Sequence, residues 1–290
     1  MSRIVVRPAR PLAVLSFLVL AASPAFAQSA PSALEAGLRY RSGRVTVGHG
    51  LAEIAVPEGL RFLDAGDSRR LLLEGWDATS LPGAEVLGML VPAGLSPLAD
   101  DGWAVLVTFD ARGHVGDSNA GTFDVARLLR DVQARARASN VDRRAAGADS
   151  VNVVGWATPP RFDAATHSLS WAQELAFGSR PRHVLTADVR ILGRRGVLGL
   201  TAVALMSQLD DVRARLDALV PAIAFAEGQR YDDYRVGQDD VSSVTVAALV
   251  TASPAGAETA PSRLPLLAST TLAVGVAAVM MALGRGRGRR

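Results

Sequence analysis

The sequence predicts an α+β domain in which helices cover a mostly antiparallel sheet, followed by one C-terminal transmembrane helix. Short β-rich runs recur between turns rich in Gly, Pro and Asp. Two glycine-bearing turns, at 177–181 and 192–196, join consecutive runs and therefore predict antiparallel pairing. Three helical segments interrupt the strands without the strict alternation of a parallel βαβ sheet.

The strands follow from runs of β-branched and alternating apolar residues. We expect strands at 45–47, 52–56, 84–91, 103–109, 151–156, 169–177, 183–192 and 197–204. Pro159 and Pro160 should end the strand that starts at 151, because proline has no backbone N–H to donate.

The helices follow from apolar spacing and from their first residues. A helix over 65–74 can be capped by Asp64, and one over 123–146 repeats Leu128 and Val132 on one face. A third, over 208–220, follows Ser207 with Asp210 three residues later, a capping-box arrangement in which Asp replaces the usual Glu.

The C-terminal end predicts a membrane anchor. Residues 264–284 carry no charge and would reach about 30 Å as a helix, which matches the hydrocarbon core of a bilayer. Four arginines follow at once, and cationic residues accumulate on the cytoplasmic side. We therefore expect a transmembrane helix at 264–284 in the cytoplasmic membrane and a cytoplasmic tail at 285–290. A cleaved sorting signal remains the alternative.

The N-terminal end predicts export. Three arginines precede an apolar stretch at 12–22 and the small-residue pattern Ala25-Phe26-Ala27, which is typical of a signal peptide over 1–27. An uncleaved anchor is the alternative. The expected mature chain has a short leader (28–44), one periplasmic domain (45–235) and a juxtamembrane linker (236–263).

Composition excludes several classes of function. Without the three arginines of the leader and the four of the tail, 24 arginines face 28 acidic residues. The exported region is thus acidic overall and offers no basic surface for nucleic acid, so we predict no nucleic-acid partner. The absence of cysteine and lysine excludes a disulfide framework, a thiolate nucleophile and a Schiff-base lysine. The four histidines lie at no metal-ligand spacing, and we predict no metal, no cofactor and no catalytic set.

The segment 155–172 is the densest in residues that could serve a site. A functional interpretation places Trp156, Arg161, Asp163, His167 and Trp171 around a pocket, since Trp and Arg anchor ligands and His transfers protons. A structural interpretation is favoured: the tryptophans belong to the core, while Asp163 and His167 stabilise the turn.

Four further residues are candidates for a binding surface. Arg194 and Arg195 lie at a predicted hairpin tip and could meet anionic lipid or glycan, although simple surface solvation is the commoner use of such a tip. Arg230 and Tyr231 lie in a segment near the end of the domain.

Several motifs together resemble a family of bacterial membrane-anchored proteins known as domain of unknown function 2167. They are VPEGLRFLDA (56–65), EGW (74–76), LGMLVP (87–92), DGW (101–103), GWATPPRFDAATHSLSWA (155–172), RILGRRGVL (190–198) and GQRYDDY (228–234). The resemblance implies a signal peptide, an exported domain and a C-terminal hydrophobic helix, but no reaction. Gln229 stands where the family often has His. A more distant likeness to PsbP-like α+β domains covers the helix after Gln208 and a short strand through Ile223 and Phe225.

Two functions remain open from the sequence. The leading hypothesis is a non-catalytic, membrane-anchored envelope protein that binds a protein or lipid partner. The alternative is an envelope hydrolase whose His/carboxylate site forms around Asp163 and His167.

Overall fold

The computed structural model describes residues 33–76, 78, 81–118, 120–145, 149–178 and 181–251. Within them, the helices are α1 (Ala33–Ala36), α2 (Ala65–Arg70), α3 (Val125–Ala145), α4 (Leu209–Leu219) and α5 (Val246–Leu249). The strands are β1 (Gly43–Val47), β2 (Ala52–Val56), β3 (Leu60–Asp64), β4 (Glu85–Pro92), β5 (Ala104–Asp110), β6 (Val151–Asp163), β7 (Ser168–Phe177), β8 (Val184–Leu192), β9 (Val197–Leu205) and β10 (Ile223–Phe225).

The strands form two antiparallel sheets. Seven of them pair in the order β3-β4-β5-β9-β8-β7-β6, and β1, β2 and β10 form a small sheet in the order β1-β2-β10. The predicted α+β class with antiparallel sheets and the two predicted hairpins, β7–β8 and β8–β9, are confirmed. The strand β3 was not predicted from the sequence.

The large sheet separates two apolar cores, because alternate side chains of each strand point to opposite faces. Trp171 and Leu175 belong to one core, which α3 covers through Leu128 and Val132. The other core contains Leu200 and neighbouring small residues, together with the buried face of α4 and side chains of the small sheet. Both faces of the large sheet are therefore buried.

The prediction that Pro159 and Pro160 end a strand is wrong. β6 continues to Asp163, with register shifts where the prolines lie, between the pairs Thr158↔Ala172 and Arg161↔Ser170. β6 is an edge strand that pairs only with β7. An edge strand tolerates proline because the missing N–H can lie on the unpaired side.

Of two predicted helix starts, one is confirmed and one is wrong. The predicted cap of α2 is confirmed, since Asp64 Oδ1 accepts a hydrogen bond from the Asp67 N–H at 3.0 Å. The helix then continues as a π-helical turn over Leu71–Gly75. The predicted capping box at Ser207 is wrong: a 3₁₀ turn over Met206–Gln208 precedes α4, and Gln208 Oε1 accepts from the Leu205 N–H at 2.9 Å.

The packed part of the chain extends on both sides of the predicted domain 45–235. Leu38 is buried before β1, and Val246, Leu249 and Val250 are buried after it, all in the core that α3 covers. Those apolar residues give the flanking segments a reason to pack. The predicted signal peptide, transmembrane helix and cytoplasmic tail lie outside the described residues. Among the helices that are described, none is long and apolar enough to cross a membrane.

Candidate functional site

A cleft of about 350 Å³ lies between α4 and the sheet face that carries the smaller side chains of β7 and β8. Residues 158–161 of β6, 170–172 of β7 and 187–189 of β8 line it from the sheet. From the helix, the lining residues are Leu209, Arg213, Leu216 and Asp217. The cleft is thus bounded by one helix and by the edge of the sheet.

Apart from the Ser170 hydroxyl, the floor of the cleft is apolar because of the register of β7 and β8. Ala172 pairs with Ala187, and Ser170 with Val189, so these four side chains share one face. Both alanines, Val189 and Leu216 are buried. The small alanine side chains leave open the space between α4 and the sheet.

The rim of the cleft is positively charged. Arg161 is exposed, and no ion pair or hydrogen bond joins its side chain to another residue in the described ranges. Arg213 Nε lies 3.9 Å from Asp217 Oδ2, one helical turn away, and both side chains are largely exposed. Exposed pairs at this spacing are weak. Two guanidinium groups therefore stand against one carboxylate at the rim.

Trp171 and Asp188 border the cleft only through the backbone, since their side chains point to the other face. Asp188 Oδ1 accepts hydrogen bonds from Thr201 Oγ1 at 2.7 Å and from Arg190 Nη2 at 2.8 Å. The Arg190 guanidinium lies 5.2 Å from the centroid of the Trp171 ring. The Asp188 charge is therefore compensated away from the cleft.

The structure separates the five residues that the functional interpretation placed around one pocket. Only Arg161 offers its side chain to the cleft. Trp171 is buried in the core, and Trp156 Nε1 donates to the Val125 carbonyl at 3.2 Å, which joins β6 to α3. Asp163 Oδ1 accepts from the Ala165 N–H at 2.9 Å and so stabilises the turn between β6 and β7.

The fifth residue, His167, belongs to a stack of four rings on a different part of the surface. Its ring lies 4.1 Å from that of Tyr231, which lies 4.6 Å from His114. The His114 ring in turn stacks on Tyr234 at 3.9 Å. His167 itself adopts a left-handed backbone, with φ of 45°. The stack joins the β6–β7 turn to the segment that contains GQRYDDY.

Carboxylates hold the exposed end of this stack. His167 Nδ1 lies 3.0 Å from Asp117 Oδ2, and its Nε2 lies 3.7 Å from Asp232 Oδ1. The Asp117 N–H donates to the Tyr231 hydroxyl oxygen at 3.1 Å. The partners of His167 are thus Asp117 and Asp232, and not Asp163 as the hydrolase hypothesis expected.

Burial sets the protonation of the inner rings. Burial and then the Asp117 carboxylate raise the pKa of Tyr231 to about 12, so its hydroxyl stays protonated at neutral pH. Burial also lowers the pKa of His114, despite nearby backbone carbonyls and carboxylates that act in the opposite direction. Within the described part of the chain, the buried His114 Nδ1 has no hydrogen-bond partner. Burial therefore favours the neutral form of the His114 ring.

The expectation that Arg194 is a surface residue is wrong. Its guanidinium is buried and binds Asp239 through two hydrogen bonds, at 2.8 and 2.9 Å. This hydrogen bonding lowers the pKa of Asp239 to about 2. Arg195 is more exposed, at 3.6 Å from the same carboxylate, and the Arg230 N–H donates to Asp233 Oδ2. The Arg194–Asp239 pair therefore holds the C-terminal segment against the β8–β9 turn.

Several residues of the cleft and of the ring stack were not predicted as site residues from the sequence. Arg213 and Leu209 were predicted only as part of a helix, although their spacing places them on one face. Asp117 lies in the sequence Gly116-Asp117-Ser118, which carries no signal for a distant histidine partner. Over the ranges that the structure describes, no group of three or more His, Cys, Asp or Glu could hold a metal ion.

The sequence profile of DUF2167, described as a protein of unknown function, matches residues 39–284. The chain belongs to this family. The resemblance expected from the motifs is therefore confirmed. Among curated proteins, none matches this DUF2167 chain.

Solved structures similar to this DUF2167 chain come from several kinds of organism. Cyanobacterial PsbP (CyanoP) from Synechocystis sp. PCC 6803 is 14% identical, with a TM-score of 0.34, and the similarity covers 63% of this chain and 91% of that one. LpqN of Mycobacterium tuberculosis, described as involved in cell envelope biogenesis, is 13% identical over 65% of this chain and 92% of that one, with a TM-score of 0.32. The Ran-binding protein Mog1p of Saccharomyces cerevisiae is 12% identical over 64% and 95%, with a TM-score of 0.32. These TM-scores are too low to establish a shared fold, so a PsbP-like domain stays a prediction.

Proposed function

We propose that this protein is a membrane-anchored binding module of the cell envelope, whose domain faces the periplasm and holds a ligand in the cleft beneath α4. The observation that carries the proposal is a largely apolar cleft with Arg161 at its rim, where no described residue pairs with the guanidinium. A volume of about 350 Å³ falls within the range of small-molecule sites. No catalytic role is assigned to the residues that line it.

The proposed location rests on the two ends of the sequence. The uncharged run at 264–284, with four arginines after it, supports a helix whose C-terminus stays in the cytoplasm. The arginines and apolar stretch of residues 1–27 support export of the domain. The domain would then be tethered close to the outer surface of the cytoplasmic membrane.

A hydrolase that uses His167 is a second candidate, and the 3.0 Å contact with Asp117 favours it. A carboxylate in this position could orient the imidazole as a general base toward water. The hydroxyl of Tyr231, whose ring stacks on His167, is a poor nucleophile, however, because its pKa is raised to about 12 and it keeps its proton at neutral pH. Loss of hydrolytic activity in His167→Ala, with ligand binding in the cleft unchanged, would favour this candidate over the binding module.

Photo-crosslinking in living cells tests the binding proposal without assuming a ligand. The crosslinking residue p-benzoylphenylalanine replaces Leu209 in the cleft or, as a matched control, Arg137 on the exposed side of α3. After irradiation, the intact protein is purified and its mass measured. We expect an adduct at position 209 that is absent at position 137. Equal adduct formation at both positions, or none at either, would contradict a ligand site in the cleft.

A further inference from the structure

We propose that the ligand of this cleft is a single-chain amphipathic anion, with its acidic head at Arg161 and its apolar chain along the floor. This inference rests on the proposed function, since it names the chemical class of ligand for the same site. It does not depend on the predicted membrane topology.

The position proposed for the acidic head of the ligand follows from the charges around the cleft. Three charged side chains face the cleft: Arg161, Arg213 and Asp217. Arg213 and Asp217 pair with each other, whereas Arg161 has no partner among the described residues. Asp188 is bound by Arg190 and Thr201 on the opposite face of the sheet. A guanidinium without a protein partner retains its N–H donors for a carboxylate or phosphate oxygen. A cationic ligand would meet an excess of positive charge.

The position proposed for the apolar chain of the ligand follows from the residues of the floor. Ala172, Ala187 and Val189 present only methyl groups, and Leu209 and Leu216 face them from α4. The one floor hydroxyl, of Ser170, lies beside Arg161, where the acidic head is placed. Burial of an apolar chain here is favourable by roughly 25 cal/mol for each Å² removed from water. A small inorganic anion would leave this surface uncovered, so the apolar part of the ligand supplies a separate share of the affinity.

The segment of β6 that carries Arg161, beside the proposed acidic head, has a rigid backbone. Pro159 and Pro160 precede Arg161 directly, and the proline ring restricts φ to about −65°. Arg161 in turn pairs with Ser170 in the β6–β7 ladder. The backbone that carries the cationic side chain is therefore fixed before the ligand arrives, which lowers the entropy lost on binding.

Energy transfer from tryptophan to dansyl-undecanoate tests the proposal on the full-length protein in lipid nanodiscs, without detergent. All four tryptophans of the chain lie between residues 76 and 171, so transfer reports on probe bound to the domain. Nanodiscs without the protein give the background from probe in the lipid. Dodecanoate, dodecanol and dodecylammonium then compete with the probe, because they share a chain and differ in the charge of the head.

We expect dodecanoate to displace the probe at a lower concentration than dodecanol or dodecylammonium. Arg161→Gln should weaken probe binding about threefold to tenfold, as expected for loss of one partly exposed charged contact. Leu209→Gln should weaken probe binding through the apolar floor, and tryptophan fluorescence checks that the fold is intact, because Leu209 is partly buried and packs on the core. Arg137→Gln, on α3, should leave the affinity unchanged.

The outcomes separate this inference from the proposed function. Equal displacement by dodecanol, or unchanged affinity in Arg161→Gln, overturns the anionic head while leaving ligand binding in the cleft intact. Transfer no greater than background, together with a crosslinked adduct at position 209, shows a ligand of another class and overturns the inference alone. If position 209 also forms no adduct, both fail.

Discussion

Asn140→Ala should destabilise the domain, because Asn140 of α3 holds the first residue of β6 through two buried hydrogen bonds. Its Nδ2 donates to the Val151 carbonyl, and its Oδ1 accepts from the Val151 N–H, each at 2.8 Å. Asn140 and Val151 are 4% and 2% exposed. Truncation leaves one donor and one acceptor of the backbone buried without partners.

The expected magnitude follows from those two groups. An orphaned buried donor or acceptor costs about 1–3 kcal/mol, and two such groups, allowing for partial access of water, cost about 3 kcal/mol together. For a domain of this size that corresponds to a fall in Tm of about 6–12 °C. Ser139→Ala is the matched control, since among the described residues the Ser139 hydroxyl bonds only to the Ala136 carbonyl of the same helix. We expect the control to stay within about 0.5 kcal/mol of the wild type.

Tryptophan fluorescence during thermal unfolding measures both variants in the full-length protein, because every tryptophan belongs to the domain. If Asn140→Ala unfolds at the same temperature as Ser139→Ala, the two bonds do not fix β6 against α3. The explanation of how the edge strand, and with it Arg161, is positioned would then be wrong.

Three further predictions concern pH and packing. Since burial lowers the pKa of His114, the unfolded chain binds a proton at this ring at a higher pH than the folded protein does, so stability should fall as pH drops below about 6.5. Over the same pH range, the urea midpoint of His114→Phe should fall less than that of the wild type. Because the pKa of Tyr231 is raised to about 12, stability should be lost as pH rises from about 10. In an ultraviolet titration, Tyr231→Phe should remove part of the late tyrosine ionisation, while Tyr40, whose pKa burial also raises, still titrates late. Gly88→Ala would place a Cβ 2.2 Å from Phe62 Cζ and should cost about 1–3 kcal/mol in urea unfolding, whereas Gly94→Ala, with nothing within 4 Å, should cost little. Equal midpoints for the two alanine variants, or pH profiles unaffected by removing either ring, would contradict the respective explanations.

Local patterns in the sequence predicted most of the sheet. Alternating runs with glycine-bearing turns indicated β7, β8 and β9 close to their observed bounds, because strand period and turn chemistry are local properties. The end of β6 was wrong, since tolerance for Pro159 and Pro160 depends on β6 lying at the edge of the sheet. Strand order is not a local property, and no residue near the prolines encodes it.

The candidate sites could be predicted only in part for the same reason. Arg161 was identified because Trp and Arg are residues that anchor ligands, but its companions in the cleft come from α4, about 50 residues later. His167 was identified as well, yet its partner Asp117 lies 50 residues earlier. Arg194 was misjudged because its buried partner, Asp239, is 45 residues away.

Cysteine labelling tests most directly the claim that the domain lies outside the cytoplasm. The chain has no cysteine, so Arg137→Cys on α3 and Arg289→Cys in the predicted tail each provide a single thiol. A membrane-impermeant maleimide is added to intact spheroplasts and, separately, to lysed ones. We expect Arg137→Cys to react in intact spheroplasts and Arg289→Cys only after lysis. Protection of Arg137→Cys until lysis would contradict the proposal of a periplasm-facing binding module.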